Sequence, residues 1–87
     1  MHESGMIEHL ICKVEEVARN HAARRVLAVE VSIGELAGIS ADHLREHFLL
    51  ASRGTPAEGA DLRVREPQQG FSRDPFGVYL ESVELES

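Results

Sequence analysis

Eighty-seven residues, 43% hydrophobic and 28% charged, make one small globular domain with no room for two cores. Nine Lys and Arg against fifteen Asp and Glu leave a net charge of −6, which repels phosphate backbones, argues against nucleic acid as a partner and suits cations. One cysteine, Cys12, excludes an internal disulfide and a Cys-based zinc ribbon within one chain; no apolar run reaches the ~20 residues of a membrane helix, and the start lacks the pattern of a signal peptide, so the chain reads as cytoplasmic.

Residues 4–23 follow the period of one helix. Ile7, Leu10, Ile11, Val14, Val17, Ala18 and His21 share a face, with Ser4 as the expected N-cap. Cys12 borders that stripe and reads as a small core-edge residue rather than a nucleophile. His21 is expected to contact the carbonyl end of the helix, whereas His9 is polar-faced and carries no signal. Residues 25–34 alternate as a strand, with Leu27, Val29, Val31 and Ile33 on the apolar face. Gly34-Glu35-Leu36-Ala37-Gly38 is a turn. It lacks the Lys-Ser/Thr ending of a phosphate loop.

Ser40 is the expected N-cap of a second helix with an apolar stripe of Ala41, Leu44, Phe48 and Ala51, closed by Gly54 before Pro56. His43 and His47 stand one turn apart on it. That spacing offers two imidazoles to one metal ion, although no third ligand is evident, and the alternative is two exposed histidines beside an apolar stripe. Residues 61–66 form a second strand, 68–77 a loop, and 78–86 a third strand. In the third, Val78 and Leu80 share one parity and Val83 and Leu85 the other, so a β-bulge near Glu81-Ser82 is needed to restore one apolar face. The order α-β-α-β-β predicts an α+β two-layer sandwich, two helices on one face of a three-stranded sheet, as a single domain over residues 1–87. Phe71 and Phe76 in the loop, together with two sheet edges, predict a self-contact, a homodimer, unless both rings fold back onto the monomer.

The amino terminus carries the sharpest chemistry. In Met1-His2-Glu3 the α-amine and the residue-2 amide close a five-membered chelate ring, and the amide with imidazole Nδ1 closes a six-membered one. Three such nitrogens suit Ni(II) or Cu(II) in a tetragonal field, with a fourth place for Glu3 or a partner. The alternative is a frayed terminus with a chance histidine. No Ser-His-Asp or paired-carboxylate constellation can be argued, and Glu35 and Glu58 are candidates only as any exposed carboxylate is, so the chain is not expected to be an enzyme.

Several segments together resemble the HypA/HybF family. They are the opening Met1-His2-Glu3, the turn Ser32-Ile33-Gly34-Glu35-Leu36-Ala37-Gly38-Ile39, the stretch Gly54-Thr55-Pro56-Ala57-Glu58-Gly59-Ala60-Asp61-Leu62, and the ending Ser82-Val83-Glu84-Leu85-Glu86. The resemblance implies a nickel chaperone whose metal site is Met1, His2 and Glu3. It delivers Ni(II) to a metalloenzyme precursor such as a hydrogenase large subunit, to a nickel GTPase, or to both. Where the family carries two Cys-x-x-Cys pairs, residues 68–77 hold no cysteine, so no structural zinc is expected. Ser4-Gly5 replaces the family's large residue then Ser, which predicts a later start or more fraying of the first helix. A metal-free interaction module that keeps the fold is the competing reading.

Overall fold

The computed structural model describes residues 3–65 and 75–86, with side chains from residue 5 onward. Five elements follow in the order α1 (Glu3–Asn20), β1 (Arg25–Ile33), α2 (Ala41–Ala51), β2 (Asp61–Arg65) and β3 (Val78–Glu86). The sheet order is β2-β1-β3, with β2 parallel and β3 antiparallel to the central β1. Ile7, Leu10, Ile11, Val14 and Ala18 of α1 and Leu44 and Phe48 of α2 bury against Val26, Val29, Val31, Ile33 and Leu62. Val64, Val78, Leu80, Val83 and Leu85 border that core. Burying each large side chain of this set contributes about 1.5–3 kcal/mol. The two-layer α+β sandwich expected from the periodicities is the observed fold.

Two bulges set the phase of the sheet. Between Glu30↔Ser82 and Val31↔Leu80 the third strand advances one extra residue, Glu81. This is the expected bulge, and it brings Val78, Leu80, Val83 and Leu85 to the helix side. A second, unexpected bulge lies in β1: Val26 faces Leu85 and Ala28 faces Glu84, so Leu27 is the extra residue. The consequence corrects the sequence reading. Val26 is 1% exposed and joins the core, whereas Leu27 is 46% exposed and leaves it.

The helix ends also differ from expectation. α1 starts at Glu3, so Ser4 lies within its first turn rather than capping it, and the start is not delayed. At the other end the helix stops at Asn20, three residues early. Ala23 N–H donates to the Ala18 carbonyl at 2.9 Å and Ala22 N–H to the Arg19 carbonyl at 3.1 Å, with Ala22 at φ 52°. That crossed pair closes the helix with a left-handed residue, the place glycine usually takes. His21 Nδ1 lies 2.9 Å from the Val17 carbonyl, the expected contact at the helix end. Cys12 is exposed rather than at the core edge.

Ser40 caps α2 as expected, its Oγ accepting from His43 N–H at 3.1 Å. The helix closes at Ser52, two residues before Gly54, and Ala51 is exposed rather than part of the stripe. The following turn holds itself together. Thr55 Oγ1 donates to the Ser52 carbonyl at 2.7 Å and accepts from Ala57 N–H at 3.1 Å, and Glu58 accepts from Gly54 N–H at 3.5 Å. Ala57 is fully buried, and the Pro56 carbonyl accepts from Val26 N–H at 2.9 Å. The Gly-Thr-Pro-Ala-Glu-Gly stretch therefore docks the end of α2 onto the start of β1. Its work is structural.

With helices on one side only, the other face of the sheet is covered by polar side chains. Arg65 pairs with Glu30 and lies 3.8 Å from Glu81, which accepts from Ser32 Oγ at 2.8 Å. Arg63 reaches Glu84 at 3.6 Å. These long side chains lie over Ala28 and Ser32, the small central residues, which are buried although they face away from the helices.

Candidate metal centre

The register places Ile33, Arg65 and Val78 at one end of the sheet, through the pairs Ser32↔Arg65 and Ile33↔Val78. Both helices begin at that end. Met6, His9, Leu10 and Lys13 of α1 line a groove with Val78, Tyr79 and Leu80, and Val17 and His21 line a later one with Leu80, Glu81, Ser82, Val83 and Leu85. Ser40 and Ala41 share a groove with Ile33, Gly34, Val64 and Arg65, whereas Phe48, Leu49 and Ser52 lie beside Asp61 and Leu62. The helices thus run in the same direction.

The same end is held by a close backbone contact. Gly34 N–H donates to the Gly77 carbonyl and Leu36 N–H to the Pro75 carbonyl, both at 2.8 Å, and Ala37 N–H closes the turn onto the Gly34 carbonyl at 3.1 Å. The Gly-Glu-Leu turn is therefore a clamp on the segment entering β3. Glu35 is exposed and no constellation forms around it.

Of the residues expected to hold metal, Met1 and His2 lie outside the described residues, and Glu3 opens α1 with its side chain likewise outside them. Phe71 is outside as well. Phe76 is described and 62% exposed. His43 and His47 do come together: their ring centroids are 4.6 Å apart and tilted by 52°. Among the described residues no group of three or more His, Cys, Asp or Glu converges on a possible metal position. His9, passed over in the sequence, lines the groove beside the first turns of α1 with Met6 and Tyr79. Helical period sorts faces but does not reveal that β3 lies opposite. No helix among the described residues is long and apolar enough to cross a membrane.

Residues 1–72 match the family described as hydrogenase/urease nickel incorporation, metallochaperone, hypA. A relative from Nitrosospira multiformis named hydrogenase maturation factor HypA is 36% identical over 87 residues, all of this chain and 70% of that relative. A protein of the same name from Xanthobacter autotrophicus is 42% identical over 66 residues, 76% of this chain and 58% of that one. Several other relatives of that name are likewise matched over less than two thirds of their length. The solution structure of the Ni metallochaperone HypA from Helicobacter pylori superposes with a TM-score of 0.80 at 18% identity, covering 98% of this chain and 97% of that one. At that identity the likeness speaks for the fold alone.

Proposed function

This chain belongs to the HypA family of hydrogenase and urease nickel incorporation, and we propose that it is a metallochaperone that binds one Ni(II) through Met1, His2 and Glu3. The observation that supports this most is the presence of Met1-His2-Glu3 within the matched stretch of residues 1–72. The α-amine, the metal-deprotonated amide and the imidazole supply three nitrogens, and Glu3 or a receiving protein supplies the fourth donor. A cargo site of this kind must release its metal. Ligands clustered in the first residues of a chain can be peeled away one by one, whereas a closed cage cannot.

Delivery goes to a metalloenzyme precursor or a nickel GTPase, in the cytoplasm, and the chain itself performs no catalysis. A homodimer through the Phe76-bearing turn or a sheet edge belongs to the same reading, since Phe76 is exposed. The test of nickel binding is a calorimetric Ni(II) titration of the untagged chain beside His2→Ala. A tightest Ni(II) site of one ion per wild-type chain, lost in the variant, is expected. Retained affinity at that site would show that other ligands hold the metal and overturns the terminal chelate; no binding by either protein overturns it in favour of a metal-free interaction module.

A further inference from the structure

His43 is exposed, His47 is half-buried, and Leu44 and Phe48 between them supply the buried contacts of α2. We propose that this pair is a second metal site, a bidentate one, for a borderline divalent ion such as Cu(II) or Ni(II). The inference rests on residues 43 and 47 alone and does not require the terminal chelate.

The geometry fits. A metal–nitrogen bond of about 2.0–2.1 Å, plus about 1.1 Å from that nitrogen to its ring centre, puts each imidazole centre about 3.2 Å from the metal. Two such rings on adjacent positions of a tetragonal ion are then about 4.5 Å apart, centre to centre. The observed separation is 4.6 Å. The helix holds the ring centres at the separation that chelation needs. Both residues also engage in further interactions, which metal binding must displace or accommodate.

Donor chemistry selects the ion. Imidazole nitrogen suits copper, nickel and zinc and does not suit magnesium or calcium. No third protein ligand converges among the described residues, so water completes the coordination and the site is exchangeable rather than structural. The pair lies on the first two turns of α2, and α1 and α2 begin at the same end of the sheet. An ion held there is near the end from which α1 starts. Exposed Glu46 and the net charge of −6 offset the positive end of the helix dipole.

The experiment is a Cu(II) and Ni(II) titration of three untagged chains: His2→Ala, His2→Ala with His43→Ala and His47→Ala, and His43→Ala with His47→Ala. Far-UV circular dichroism checks folding, and a His43→Gln/His47→Gln pair replaces the alanines if they disturb it. The His2→Ala chain is expected to retain one metal ion, with a Cu(II) electron paramagnetic spectrum showing imidazole nitrogens. Removing the pair from it lowers affinity on the order of tenfold or more. Equal binding by the first two chains overturns the proposal, as does a residual site that moves with His9→Ala instead. The third chain separates the readings: it is expected to keep the tightest site and lose the weaker one, loss of the tightest site would count against the terminal chelate, and retention of both sites overturns the α2 pair.

Discussion

Gly34 lies so close to Pro75 that a Cβ at position 34 would fall 2.2 Å from the Pro75 carbonyl oxygen and 2.5 Å from its carbonyl carbon. Both contacts are backbone, so no side-chain rotation relieves them. The glycine of the Gly-Glu-Leu turn is required because two chain segments touch there, at the end of the sheet from which both helices start.

Gly34→Ala is accordingly expected to cost about 2 kcal/mol or more, by forcing apart the Gly34–Gly77 and Leu36–Pro75 hydrogen bonds. Urea denaturation measures it. A change below about 0.5 kcal/mol would show that the contact yields cheaply.

Ala22 tests the other helix end. A non-glycine residue in the left-handed region costs roughly 1–2 kcal/mol, and φ 52° places Ala22 there. Ala22→Gly is expected to stabilise the chain by about 0.5–1 kcal/mol, the strain relieved exceeding the added unfolded-state entropy. A lower thermal midpoint for the variant would refute this.

Glu81 does double duty as bulge residue and acceptor. Its carboxylate is mostly buried, takes the Ser32 hydroxyl at 2.8 Å and sits 3.8 Å from Arg65. Glu81→Ala leaves the buried Ser32 hydroxyl without this acceptor and is expected to cost about 1–3 kcal/mol. Glu81→Gln keeps an acceptor oxygen and is expected to lose less than half as much. Equal losses in the two variants would assign the effect to charge rather than to the hydrogen bond.

Nickel affinity at the terminus is expected to fall steeply as pH drops from about 8 to about 6. Imidazole and α-amine protons, with ordinary pKa values of about 6.5 and about 7.7–8.0, must leave before the metal binds. The sign is fixed by competition, because each added proton occupies a ligand nitrogen. Calorimetry in buffers of different ionisation enthalpy counts the protons released. A flat affinity over that range would mean carboxylate ligands instead.

The exposed Phe76 gives the self-association reading its measurement. Sedimentation equilibrium at high micromolar concentration is expected to find a dimer that Phe71→Ser with Phe76→Ser dissociates, leaving nickel binding unchanged. A species of 9.6 kDa in the unmodified chain rules it out.

Element order, the two helix stripes, the Ser40 cap and the Glu81 bulge are local patterns, and periods of 3.6 and 2 expose them directly. The His43–His47 pairing is local for the same reason, since one helical turn sets it. The terminal metal motif was legible as chemistry, but its residues 1 and 2 lie outside the described part of the fold. Val29, Val31 and Ile33 are buried as alternation predicts, and tertiary structure alone decided the residues of β1 before the bulge. Alternation favours Leu27 and excludes Val26, yet pairing with Leu85 and Glu84 extrudes Leu27 and turns Val26 inward. A one-residue slip reverses every side chain beyond it, and the partner strand that imposes the slip lies more than 50 residues away. The same distance hides why Gly34 is glycine. Nothing near it in the chain demands the missing Cβ, and only the arrival of Pro75 does.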